Sequence, residues 1–394
     1  MTKKIILSLV ATLLLLPVAM TAKINLDSLK MEVIKESKTT RVGNQYRSGT
    51  CWCFSSLSFF EAEILRKGGK DVDLCEQFVI YNTMIDRAKA QVRTHGDVSY
   101  SQGGSFYDVV YCFNNYGICP SSAMVPAGSL YGDSLMDHNE LFVVAPAYVK
   151  AISNCDRKSL TKCWVNGLKG IYDAYLGELP TKFNYEGKEY TPQTFAKSLN
   201  LDMDEYVSLT SFTHHPFYET FAIEVQDNWR AAQSYNLPLD EFMEVMDYAV
   251  RNGYTFAWGA DVSEDSFRDK SNIIIMPDKQ KKESTEGSDQ ARWTGTINQT
   301  KEEFKSEGEL TITQEMRQEA FDNWETTDDH GMLIYGLAKD QYGKEYFMMQ
   351  NSWGDWGKFH GKAYVSKSYI AYKTLNILIN KNAIPNKIAK KLFK

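Results

Sequence analysis

The stretch Asn44-Gln45-Tyr46-Arg47-Ser48-Gly49-Thr50-Cys51-Trp52-Cys53-Phe54-Ser55 sets a polar amide six residues ahead of a cysteine that opens an apolar helix. Beyond it, Cys53, Phe54, Leu57, Phe59, Phe60, Ile64 and Leu65 recur at helical spacing, while Glu61, Glu63, Arg66 and Lys67 fill the polar positions. Cys51 therefore belongs to a first helical turn. The unpaired amides and the positive end of the helix dipole there are expected to favour a thiolate, the attacking form of cysteine. Gly49 lets the backbone turn tightly into the helix. Taken alone, the position is equally compatible with a small buried cysteine on a helix face, the commonest fate of a free thiol.

The far end of the chain argues for chemistry. There Asp329-His330-Gly331-Met332 leads into an apolar run, followed by Gln350-Asn351-Ser352-Trp353-Gly354-Asp355-Trp356-Gly357. Cysteine, histidine and asparagine in this order supply a nucleophile, a base and a group that orients the base. Gln45, together with the Cys51 backbone amide, would form the oxyanion hole, because one side-chain and one main-chain donor suffice to hold a developing O⁻. Neither His95, His138, His214, His215 nor His360 has a comparable setting, although His360 is close to Asn351 in sequence.

Arg47-Ser48-Gly49-Thr50-Cys51-Trp52, with His330 and Asn351, resembles the papain-like cysteine peptidases, whose nucleophile signature reads C-G-[SA]-C-[WY]. Ordinary members place the histidine roughly 130–150 residues downstream, and here the interval is about twice that, so a large insertion intervenes. Within the clan the chain is similar to the bleomycin hydrolase and aminopeptidase C branch. The matching stretches are Leu74-Cys75-Glu76-Gln77-Phe78, Gly103-Gly104-Ser105-Phe106, Tyr116-Gly117-Ile118, Tyr206-Val207-Ser208-Leu209-Thr210 and Trp258-Gly259-Ala260-Asp261-Val262. The resemblance implies an α+β, papain-like two-lobed fold with a helical insertion, and a cysteine aminopeptidase acting on peptides. It also implies that Gly103 and Gly104 line the substrate cleft, a plain turn being the alternative, and that Trp353 shields the His330–Asn351 hydrogen bond. Relatives form hexamers, so a homo-oligomer is expected. In that branch a C-terminal arm enters the cleft and its carboxylate pairs with the substrate amine. Here the final strand and helix, Leu375 to Asn380 and Ile384-Pro385-Asn386-Lys387-Ile388, are followed only by a short basic end, which leaves an open-cleft endopeptidase as an alternative. An amidase outside the peptidases could use the same residues.

Residues 1–22 read as a signal peptide: Lys3 and Lys4, an apolar run from Ile5 to Val18, then small residues including Ala19, Thr21 and Ala22. An exported enzyme, periplasmic or extracellular, is the expectation. Residues 23–126 should form the helical lobe with the nucleophile, 127–200 a helical insertion subdomain, and 201–394 a β-rich lobe carrying His330 and Asn351. At 394 residues the chain exceeds what one core organises. Its formal net charge of -6 and lack of a basic stripe exclude a nucleic-acid partner. Of seven cysteines, Cys112 with Cys119 and Cys155 with Cys163 are near enough in sequence to pair, though no connectivity is selected. No C-x-x-C spacing occurs, and His214-His215 has no Asp, Glu or Cys at ligand spacing, so it reads as a loop pair. No cofactor or metal is expected. Asp278 to Gln290 and Thr296 to Glu309 read as surface loops or insertions.

Overall fold

The computed structural model describes residues 25–277 and 308–393. The expected signal peptide, residue Lys394, and nearly all of the two surface tracts lie outside the described residues. Among those described, no helix is long and apolar enough to cross a membrane.

Helix α1 (Cys51–Arg66) buries almost every side chain before its last turn. It packs with α2 (Glu76–Arg93) and α3 (Phe106–Asn115) in a core built on Phe59, Phe60, Phe78, Val109 and Phe113. Ser105 and Asp108 cap α3 reciprocally, fixing where that helix begins just after Gly104. The expected insertion is an outgrowth of this same core. Its helices α4 (Leu141–Ser153) and α5 (Cys163–Leu176) pack on α2, and Leu141, Val149, Leu168, Tyr172 and Phe195 join the same buried cluster. It is not wholly helical: strands β2 (Phe183–Tyr185) and β3 (Lys188–Tyr190) form a hairpin before α6 (Pro192–Ser198).

The second half forms a large mixed sheet in the order β5-β6-β4-β12-β7-β9-β10-β11-β8. Its members are β4 (Tyr206–Thr210), β5 (Thr220–Ala222), β6 (Gln233–Asn236), β7 (Phe256–Ala260), β8 (Ile273–Ile274), β9 (His330–Lys339), β10 (Glu345–Gln350), β11 (Lys362–Ser366) and β12 (Thr374–Asn380). The amphipathic helix α7 (Leu239–Arg251) covers it through Phe242, Val245, Met246, Ala249 and Val250. A strand that sequence patterning passes over, β1 (Glu32–Glu36), pairs with the far half of β9. Its residues are all exposed, so no hydrophobic alternation marked it; main-chain pairing holds it, with a surface ion pair from Glu32 to Lys339 at 3.3 Å. Helix α8 (Gln314–Asp322) is anchored by Arg317, a buried guanidinium that donates to the carbonyls of Ser211 and Ala371.

All seven thiols are free. Cys75, not Cys112, lies against Cys119, its amide donating to the Cys119 carbonyl at 3.0 Å, while Cys155 and Cys163 are exposed.

Candidate active site

The two lobes meet where α1 packs against β9. Gly331 makes this approach possible: a Cβ there would stand 2.6 Å from Ser55 Oγ and 3.3 Å from the Cys51 carbonyl oxygen. Any side chain would therefore push the nucleophile's helix away from the strand that carries the base. His330 opens β9, level with Ala260 of β7. Because β10 runs antiparallel with Gln350 opposite Leu333, Asn351 emerges beside His330, its amide donating to the Gly361 carbonyl at 2.9 Å. Its Oδ1 lies 2.7 Å from His330 Nε2 and also accepts the Ser352 amide at 2.8 Å. The Trp353 ring stacks on the imidazole, centroids 4.9 Å apart at 25°, and is itself braced edge-on by Trp356 at 5.1 Å.

Cys51, His330, Gly103 and Gly104 all line one cavity of about 970 Å³ between the lobes. Gln45, Asn351 and Trp353 stand behind its wall. Gln45 is fully buried; its Nε2 donates to the Ser48 carbonyl at 2.7 Å, and its Oε1 accepts from Ser352 Oγ at 2.6 Å. The main-chain amide of Gln45 donates to Ser352 at 2.8 Å, so the segment before the nucleophile is stitched to the segment that follows Asn351.

No family model matches the chain. It is similar to Aminopeptidase G of Lactobacillus delbrueckii subsp. lactis, 21% identical over 385 residues, with 88% of this chain and 82% of that protein covered. Aminopeptidase C of Streptococcus thermophilus is 23% identical over 392 residues, covering 86% and 80% respectively. Among solved structures, PepW from Lactobacillus rhamnosis superimposes with a TM-score of 0.68 at 20% identity, over 92% of this chain and 84% of that one, which establishes the fold. Over most of its length the chain is thus similar to cysteine peptidases of the aminopeptidase C branch, and it shares their fold.

One sequence-based expectation about this peptidase is reversed. Burial pushes the Cys51 thiol up to about 12, with Asp328 and Asp227 adding to the rise and the Gly331 and Trp52 amides opposing it. A helix start contributes about 0.3–1 kcal/mol, at most about 2 kcal/mol, less than the desolvation of a buried thiolate imposes here. Loss of the Cys51 proton to water is thus unfavourable, and a thiolate requires a cation beside it to receive that proton.

The glycine pair lines the cavity as expected, but its structural reason lies in its neighbours. A Cβ on Gly103 would fall 1.7 Å from Asp227 Oδ2, and one on Gly104 would fall 2.8 Å from the Trp52 ring. Neither glycine has the positive φ of a tight turn. Trp52 is held by its Nε1–H, which donates to the Gln102 carbonyl at 3.0 Å, and the Gly49 amide donates to Gln102 Oε1 at 2.8 Å.

Asp227 and Asp328, which sequence reading did not select, both line the cavity. Asp227 accepts from buried Arg87 at 3.2 Å and from Ser101 Oγ at 3.1 Å. Asp328 has its surface open to the cavity yet is enclosed by the two lobes, and that enclosure sets its proton affinity. Removal from bulk water, then repulsion from Asp227, hold its carboxyl above the ordinary carboxylate range, against the pull of Arg87. Arg87 is shared with the Ser99, Gly103 and Gln226 carbonyls. Two carboxyls thus face the cavity over one heavily committed cation. Nothing in the local sequence signalled this, since the two aspartates lie in different loops.

The remaining histidines fall elsewhere. His360 is exposed and paired with Asp355 at 2.6 Å. His138 is fully buried and stacks on Phe142. The His214-His215 pair does have an acidic neighbour, Glu224, brought in by the turn of the chain between them.

Proposed function

We propose that this peptidase removes residues from the free amino end of peptides by a thiolate–imidazolium mechanism. His330 takes the Cys51 proton, and the sulfur attacks the scissile carbonyl. The oxyanion is met by the Cys51 amide, a first-turn N–H without an intrahelical partner, and by the second N–H of Gln45 Nε2. Collapse expels the amine, which takes the proton from His330. Water then attacks the thioester, with His330 again as base, and releases the acid and the Cys51 thiol. Asn351 and Trp353 hold the imidazole in plane for both transfers. Export beyond the inner membrane, inferred from residues 1–22, is part of the same proposal, as is self-association.

The observation that carries the amino-end preference is the Asp227–Asp328 pair facing the cavity that contains Cys51. Two carboxyls in one enclosed site cannot both ionise cheaply, and an α-ammonium between them would relieve the repulsion. The C-terminal arm supports the reading only indirectly. Helix α9 (Asn386–Leu392) ends with Phe393 edge-on to Tyr235 at 5.2 Å, and Tyr235 lines the same cavity.

The test compares a free-amine aminoacyl fluorogenic amide with its N-acetylated twin, on wild type, Cys51→Ala and Asp227→Asn. Cys51→Ala should be inactive on both. Wild type should prefer the free amine, and Asp227→Asn should lose much of that preference. Equal cleavage of the blocked twin by wild type would replace the exopeptidase reading with an open-cleft endopeptidase.

A further inference from the structure

We propose that His214, His215 and Glu224 form a binding site for a divalent transition-metal ion of the zinc class, beside the catalytic cleft. His214 Nε2 lies 3.1 Å from Glu224 Oε2, and His215 Nε2 lies 2.8 Å from Glu224 Oε1. The three donor atoms all fall within 4.8 Å of one another. Ligands bound at about 2.0–2.1 Å in a tetrahedron sit about 3.3 Å apart, so a small outward movement of the side chains suffices. Two imidazoles and one carboxylate suit zinc with a fourth position left open, whereas calcium and magnesium favour all-oxygen sets.

The rings are held in place. His215 stacks on Phe221 at 4.2 Å and 21°, and His214 lies parallel to Phe321 at 5.9 Å and 22°. Asn236 Nδ2 donates to the carbonyls of Phe212, His215 and Pro216, pinning the loop that bears them. Gln318 supplies the outer support that ligating histidines use. Its Oε1 accepts the Thr213 amide at 2.6 Å and stands 3.3 Å from His214 Nδ1, while its Nε2 stands 3.0 Å from the same Nδ1 and donates to Asp322 at 2.9 Å. When Nε2 of His214 gives its lone pair to a metal, the proton on Nδ1 turns to Oε1 of the Gln318 amide, and the Gln318 Nε2 is left to Asp322. The side chains of His214, His215 and Glu224 are 29%, 36% and 55% exposed, so an ion can enter from water. Glu224 lines the cavity three residues before Asp227, so a bound ion would tether the cleft wall to the Thr213–His215 loop.

Catalytic thiolates also bind zinc, so activity is a poor readout. The full chain is first alkylated with iodoacetamide, which blocks Cys51 and the exposed Cys155 and Cys163. It is then titrated with ZnCl₂ by calorimetry and with CoCl₂ by absorption. One equivalent should bind, and the Co²⁺ spectrum should show d–d bands without sulfur-to-metal charge transfer. Glu224→Gln and His215→Ala should abolish the uptake, and Gln318→Ala should weaken it about 10–100-fold. Thermal melts check that each variant is folded, and Glu224→Gln, an exposed near-isosteric change, decides the matter if His215→Ala is not. No uptake by the alkylated wild type, unchanged uptake in Glu224→Gln, or a thiolate charge-transfer band would overturn the assignment.

Discussion

Replacing Asn351 with alanine should slow the peptidase without emptying its cleft. The Asn351 side chain is almost fully buried, and its Oδ1 serves both His330 Nε2 at 2.7 Å and the Ser352 amide at 2.8 Å. The first of these bonds strengthens when the imidazole becomes imidazolium, so it stabilises the charged pair that burial of Cys51 otherwise opposes. A hydrogen bond to a charged group contributes about 1.5–3 kcal/mol, which corresponds to a loss of about 10–150-fold in rate. The lower part of that range is expected, because Trp353 still stacks on the ring at 4.9 Å and limits its rotation. Since the bond acts after substrate is bound, kcat and kcat/KM should fall together with KM little changed. The buried Ser352 amide also loses its partner, at about 1–3 kcal/mol of stability, which urea unfolding would register independently. A kcat within threefold of wild type, or a loss confined to KM, would refute the claim that Asn351 sustains the ion pair.

Gly103→Ala should mimic Asp227→Asn, because its new Cβ would occupy the place of Asp227 Oδ2. Displacing that carboxylate costs about 1–3 kcal/mol in strain, and KM for free-amine substrates should rise while cleavage of N-acetylated ones is spared; equal losses on both would point to general collapse of the cleft. His138 should make the fold acid-sensitive. It is buried with neither ring nitrogen hydrogen-bonded among the described residues, and burial holds its pKa down at about 3. The unfolded chain, titrating near about 6.5, binds the extra proton first, so stability is full above that pH and falls as pH drops towards 3. Between pH 7 and pH 5 the loss should be about 2 kcal/mol in urea unfolding, and His138→Leu should remove that component; parallel pH dependences in the two proteins would contradict it.

Much of the site was legible without coordinates because its parts are local signals. A cysteine opening an apolar helix, a histidine heading an apolar run and an asparagine before a Trp-Gly cluster each depend on a few consecutive residues, and the strands over Tyr206–Thr210 and around Tyr346–Gln350 follow from short runs of aromatic and apolar residues, the second buried along nearly its whole length. What joined them was not legible. The approach of α1 to β9 depends on the missing side chain at Gly331, and the acidic wall depends on loops that bring Asp227 to Asp328. The thiol's raised proton affinity depends on how much protein surrounds it, which no helix-start rule reports. Likewise His214 and His215 met Glu224 only once the chain had turned through Phe221. Sequence determined which groups could react, since bond-making chemistry and helix starts are properties of neighbouring residues. Tertiary structure decided their charge states and companions, because desolvation and Coulomb forces act through space and take no account of position along the chain.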